Sequence, residues 1–205
     1  MSATNPWLMR PEPAVATAVA ASPVVEQVRV ALRPLPRQHA REVLATVTRA
    51  EGPGLWLVGA HGGAGVSTLA ALSGAYDAGT AWPATTGTAS CLLVCRTNLA
   101  GVAAAQAALG QWAQGGAPQM VELLGLVLVA DSPKKPPRAV SELVQVLAGP
   151  LPRLVQVAWS EPWRAERTPT HTSAPAPVRR TIRELADLAR SLGAAHAAHL
   201  ERNPE

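Results

Sequence analysis

The sequence has no phenylalanine, one tyrosine, two cysteines and, among eighteen basic residues, only the two lysines Lys134 and Lys135. Charged residues make up 16%, against roughly 25% in an ordinary soluble domain. So little charge argues against wholesale charge-driven disorder and leaves a core of Leu, Val and Ala affordable. Nor is there a long apolar run. The best, residues 123–130, follows Glu122 and falls far short of the ~18 residues of a membrane-spanning helix. At the start, Arg10 precedes the apolar stretch 14–21. That stretch is Ala/Val without Leu, and Pro11 and Pro13 stand at its entry, so a signal peptide is rejected. Cys91 and Cys95, four residues apart on a strand, would lie about 13 Å apart, too far for a disulfide. No second cysteine pair offers a zinc site. A reducing, cytoplasmic setting is expected.

What is present is alanine, glycine, proline and arginine, the usage of a high-GC bacterial gene. Of 205 residues, 48% are apolar, and there are 19 Pro, 16 Gly and 6 Trp. The length suits one medium domain with tails. A net charge of +4 permits contact with nucleic acid through basic charge without demanding it. The arginines are scattered, apart from the Lys134-Lys135-Pro136-Pro137-Arg138 loop and the Arg179-Arg180 pair.

Along the chain, residues 1–36 are rich in Pro and Ala without periodicity and read as a mostly disordered tail, within which residues 24–32 suit a local strand or a turn of helix. An α/β domain is expected over 37–163, then a Pro/Thr-rich linker over 164–177 and a C-terminal helix over 178–205. Within the domain, Ala40, Val43, Leu44 and Val47 recur at helical spacing over 37–50. The runs 55–58 and 91–95 suit strands buried on both faces, and 123–130 and 154–158 read as a third and a fourth strand. Helices are expected over 66–76, 99–114 and 138–147, and a loop over 77–89. The alternation of strand and helix predicts an α/β fold with a small doubly wound, mostly parallel sheet. The last helix, with Arg179, Arg180, Arg183 and Arg190 beside Glu184 and Asp187, reads as an apolar stripe under a solvated outer face. Its mixed signs do not suit membrane binding.

The segment with chemical content is Gly59-Ala60-His61-Gly62-Gly63-Ala64-Gly65-Val66-Ser67-Thr68, between an expected strand and an expected helix. Glycines let successive backbone N–H groups turn toward one anion. The helix N-terminus adds partial positive charge. Ser67 stands where a hydroxyl could hold Mg²⁺.

Residues 61–68 resemble the deviant P-loop of ParA/MinD-type ATPases, Lys-Gly-Gly-x-Gly-Lys-Thr/Ser-Thr/Ser. The glycines match. His61 and Val66 replace the two lysines, one of which in that family crosses a dimer to the partner's phosphates while the other contacts the bound phosphates. A weaker likeness in the order of elements extends over 91–163. The family's acidic strand motif, which positions Mg²⁺ and water, has no counterpart between Tyr76 and Ser90. The resemblance implies a P-loop NTPase-like fold, with ATP and Mg²⁺ as ligands of the family. Gly62, Gly63, Ala64, Gly65, Val66, Ser67 and Thr68 are the candidate phosphate-binding residues. It also implies a protein partner or a homodimer, and work in plasmid or chromosome partitioning or mobile-element maintenance.

With both lysines replaced, the expectation is a partner-binding or regulatory protein with weak or no nucleotide binding and little turnover, since electrostatic stabilisation is most of phosphoryl-transfer catalysis. An active ATPase would need a substitute cation. The loops after parallel strands share the carboxyl edge, where ligands bind. That rule puts residues 96–98, 131–138 and 159–164 near the glycine loop, among them Lys134, Lys135 and several arginines. Asp131 ends an apolar strand, as the Mg²⁺-ordering aspartate of P-loop enzymes does, but the order of elements matches it to a different strand of that family, and a cap on the turn at Ser132-Pro133 is the role expected of it. His61 is a candidate phosphate contact. A purely structural interaction module is the third reading.

Overall fold

Leu55, Trp56, Leu57 and Val58 are all buried, because the strand that carries them has neighbours on both sides and helices over both faces. The computed structural model describes residues 23–32 and 43–202. In chain order these form α1 (Pro23–Leu32), β1 (Ala45–Thr48), β2 (Gly54–Gly59), α2 (Val66–Ser73), β3 (Tyr76–Asp77), β4 (Ala81–Ala84), β5 (Ala89–Arg96), α3 (Leu99–Ala113), β6 (Val121–Val129), α4 (Arg138–Ala148), β7 (Arg153–Val157), α5 (Glu161–Ala165) and α6 (Ala176–Arg202). Strands β3-β2-β5-β6-β7 make one five-stranded sheet, and every neighbouring pair is parallel. Strands β1 and β4 form a separate parallel pair.

Successive strand residues point to opposite faces, and the core divides accordingly. Trp56, Val58, Cys91, Leu93 and Cys95 face a layer holding Val28 of α1, Val102, Ala105 and Leu109 of α3, and Val140 and Leu147 of α4. Leu55, Leu57, Leu92 and Val94 face Leu69 and Ala70 of α2 and Val178, Ile182 and Leu185 of α6. The fold is α/β, doubly wound on a parallel sheet. Helix α6 thus closes one face, and the family of buried residues runs without a break from the sheet into it.

Strand β6 keeps both faces apolar only through a bulge. Register with β5 shifts between Cys91 and Leu92, whose partners are Leu123 and Gly125. Val121 and Leu123 lie on the α3 side, and after the extra residue it is Leu126 and Leu128 that do so. Gly125 has φ +156°. Without the bulge, one half of the strand would turn its leucines to the wrong layer.

Three expectations are corrected. Residues 1–22 and 33–36 of the expected tail lie outside the described residues, and Pro23–Leu32, where a local strand or a turn of helix was expected, is a ten-residue helix. Val28 is buried among α3 and α4, and Arg29 Nε donates to Ala113 O at 2.5 Å. Of the helix expected over 37–50, the part up to residue 42 lies outside the described residues. Ala45–Thr48 is a strand, paired with β4 through Thr46, Val47 and Thr48, β-branched residues that favour extended backbone. The expected loop over 77–89 contains β4. There Trp82 is wholly buried, and its Nε1 donates to Gln111 Oε1 at 3.1 Å. The same amide oxygen accepts from Leu44 N at 2.9 Å, while Gln111 Nε2 donates to Leu44 O at 2.9 Å, so one glutamine ties both short strands to α3. Among the described residues no helix is long and apolar enough to cross a membrane.

Cys91 and Cys95 are free and buried. Burial, with Glu122 adding to it, pushes the Cys91 thiol far above the usual range, and burial pushes the Cys95 thiol up to about 12. The thiolate is the reactive form. Two thiols should therefore titrate with a disulfide reagent at pH 8 only after denaturant is added, and fast reaction of either in the native protein would contradict this packing.

Candidate functional site at the carboxyl edge

The glycine-rich loop leaves the carboxyl end of β2 and enters α2 at Val66. Its path depends on two left-handed glycines, Gly63 with φ +74° and Gly65 with φ +102°. Gly65 is the N-cap of α2 and has no side chain to close the first turn. The first amide of the helical ladder is that of Leu69, bonded to Gly65 O at 3.0 Å. Gly62 and Gly63 form a turn, and beyond it, among the described residues, no protein acceptor stands against the amides of residues 65–68. N–H groups left free at a helix start are met by water or by an anion.

Two solvent-open clefts flank the loop. One, of about 470 Å³, is lined by residues 63–68 together with His61, Gly79, Thr80 and Arg96. The other, of about 450 Å³, lies on the α3 side, where Asn98, Asp131 and Arg164 join His61, Gly62, Gly63 and Arg96. Neighbouring strands β2 and β5 bring Arg96 here, since Gly59 pairs with Val94. Arg96 Nε donates to Gly63 O at 3.2 Å, and its Nη1 to Ala130 O at 3.2 Å.

The candidate residues sort as follows. Residues 63–68 surround the first cleft, with Gly62 at the second. Val66 borders the cleft, but its side chain is only 7% exposed and belongs to the apolar layer under the loop. A lysine there would start from within the core. His61 is not a free phosphate contact. Its Nε2 accepts from Arg96 N at 3.2 Å, which leaves the ring proton on Nδ1, facing Gly62 O at 2.8 Å. The imidazole staples the loop to the end of β5. Asp131 lines the α3-side cleft, and its amide donates to Thr97 Oγ1 at 3.1 Å. The turn that follows is closed by Ser132 instead, whose Oγ accepts from Lys134 N at 3.3 Å. Lys134 and Lys135 are exposed and line neither cleft.

Sequence reasoning missed Gly79 and Thr80, which form the far wall. Asp77 Oδ1 accepts from Gly79 N at 2.7 Å, and Gly79 O accepts from Gly59 N at 2.7 Å. An Asp-x-Gly turn signal was there to find them. It also missed Gly101, which lines the α3-side cleft with Arg96 and His61.

As a donor set, the loop-side cleft offers amides, the hydroxyl-bearing residues Ser67, Thr68 and Thr80, and a guanidinium, and no carboxylate. Phosphate oxygens fit such a set. A magnesium ion held by the protein does not, because a hard dication is anchored by carboxylate oxygens, so the Mg²⁺ role considered for Ser67 has no partner in this cleft. No group of three His, Cys, Asp or Glu suited to a metal exists among the described residues.

Fold and loop together define a doubly wound α/β protein with a glycine-rich loop at the carboxyl edge of β2. The chain belongs to the family of unknown function DUF6668, whose model matches residues 53–182. The match starts just ahead of β2 and ends inside α6, spanning the whole five-stranded sheet and both clefts. No curated protein and no solved structure matches the chain.

Proposed function

We propose that this chain is a degenerate relative of ParA/MinD-type P-loop ATPases, a partner-binding or regulatory module that holds phosphate weakly and does not turn it over. The observation that carries this reading is the run of amides at residues 65–68, without protein acceptors, at the N-terminus of α2. Its glycines match the deviant P-loop, and both lysines are absent. Without a carboxylate in the loop-side cleft, nothing there orders a metal ion or an attacking water. Binding without hydrolysis is what this donor set supports. The partner is a second protein or a second copy of this chain.

Calorimetric titration with ATP, paired with a phosphate-release assay, tests the reading. Wild-type protein should bind weakly and release phosphate at background rate. Gly65→Val should abolish the binding while the protein stays folded. Residue 65 is left-handed at φ +102°, and its added Cβ would meet only Val129 at ordinary contact distance, so a valine strains the loop backbone by about 1–3 kcal/mol without striking the core. Turnover that Gly65→Val removes would favour an active ATPase. No binding heat in either protein would leave only a structural module.

A further inference from the structure

We infer that Arg96 supplies the positive charge that the loop sequence lacks, and that the site takes its polyphosphate free of metal. The inference rests on the phosphate-binding reading above and names the residue and ionic form it requires. Arg96 lines both clefts. It is half-buried, and none of the three ion pairs among the described residues includes it. Its only acceptors there are the carbonyls of Gly63 and Ala130. A guanidinium has five N–H donors. Two are engaged, so three remain for an anion, which the loop-side cleft suits better because Asp131 lines the other.

Those two carbonyl bonds matter as much as the free donors. They hold the guanidinium plane against the loop, and a planar fork that is already fixed grips phosphate oxygens with little further loss of freedom. Position 66, where a lysine would stand in the related loops, is occupied by a valine packed in the core. The charge therefore comes from the neighbouring strand. No carboxylate lines the loop-side cleft. A magnesium ion riding on the phosphates would meet a guanidinium and no counter-charge. Magnesium should weaken binding rather than support it.

The test uses the full chain, inorganic triphosphate and ATP as separate probes, and titration at low salt with either EDTA or excess Mg²⁺. Wild-type protein should bind both probes in EDTA with affinities within several-fold of each other, and more weakly in Mg²⁺. Arg96→Gln should lose roughly tenfold to a hundredfold, the range of a charge-assisted contact, and should lose the magnesium penalty too. Arg96→Lys should recover part of the affinity, which a role confined to bracing the loop would not give. A thermal melt establishes that each variant is folded. If wild-type protein binds and Arg96→Gln binds equally well, Arg96 is only a brace, and the phosphate reading survives without it. Binding that requires Mg²⁺, or is confined to ATP, also overturns the inference. If wild-type protein binds neither probe, both fall.

Discussion

Gly125→Val should leave no cooperatively folded protein. A Cβ at this position would collide with the carbonyl oxygen of Arg153 and lie 2.8 Å from its carbonyl carbon. Both are backbone atoms of β7, the strand paired with β6 from Gly125 onward. No rotamer relieves a backbone clash. Either β7 withdraws from the sheet, or the bulge is lost and the face alternation of β6 reverses. Val155 and Val157 would leave the α6 layer in the first case, and Leu126 and Leu128 would leave the α3 layer in the second. Either loss exceeds about 4 kcal/mol, a large share of the roughly 5–15 kcal/mol of a typical domain. Circular dichroism and denaturant titration would show this. Gly193→Ala is the contrast. It sits in α6 with nothing within 4 Å of the added Cβ and should stabilise by about 0.5–1 kcal/mol, from helix propensity alone. A cooperative Gly125→Val protein with an unchanged midpoint would show that the bulge tolerates a side chain.

Gly101→Ala should damage stability and the site together. Gly101 lies in the first turn of α3, where Asn98 Oδ1 accepts from its amide at 2.8 Å. The added Cβ would stand 2.5 Å from Arg96 O, 2.9 Å from His61 Nε2 and 3.1 Å from Arg96 N. These atoms include both ends of the hydrogen bond that staples the loop to β5. The methyl group acts as a wedge. It lifts the start of α3, breaks the His61 bond and loosens the loop that Arg96 braces. Overpacking of this kind costs about 1–3 kcal/mol, and the upper end is expected because backbone is involved. Phosphate affinity should fall beyond what the loss of stability explains, because the fraction that remains folded lacks an ordered cradle. Gly62→Ala, whose Cβ meets nothing within 4 Å, should leave stability within about 0.5 kcal/mol. Equal melting and equal triphosphate binding in Gly101→Ala and wild type would rule out the wedge.

The apolar runs at 55–58, 91–95, 123–130 and 154–158, separated by helical patterns, were enough to predict the parallel sheet. The first three runs are largely buried on both faces and so stay apolar, a pattern visible without coordinates; the fourth is the edge strand β7, where Val155 and Val157 are buried while Leu154 and Gln156 are exposed. The glycine loop was legible for the same local reason. Three glycines in four residues between a strand and a helix need left-handed backbone, and Gly63 and Gly65 adopt it. The carboxyl-edge rule placed Arg96, Asp131 and Arg164 near the loop.

Other features depend on partners distant in sequence. The strand at Ala45–Thr48 exists because β4 pairs with it and Gln111, sixty-seven residues beyond Leu44, holds its start. The helix at Pro23–Leu32 is kept by contacts with α3 and α4. The bulge at Gly125 shows only against the register of β5.

The amino-acid sequence by itself determined the alternation of strands and helices, the site of the glycine loop and the absence of its lysines, since each depends on residues adjacent in the chain. Tertiary structure alone decided that Val66 faces the core, that His61 is a staple, and that Arg96, thirty-three residues past Gly63, stands over the loop while Lys134 and Lys135 do not. The physical reason is strand neighbourhood. Pairing β2 with β5 sets the end of one strand beside the loop leaving the other, and which strands become neighbours is settled by how the two apolar layers pack, not by any local pattern of residues.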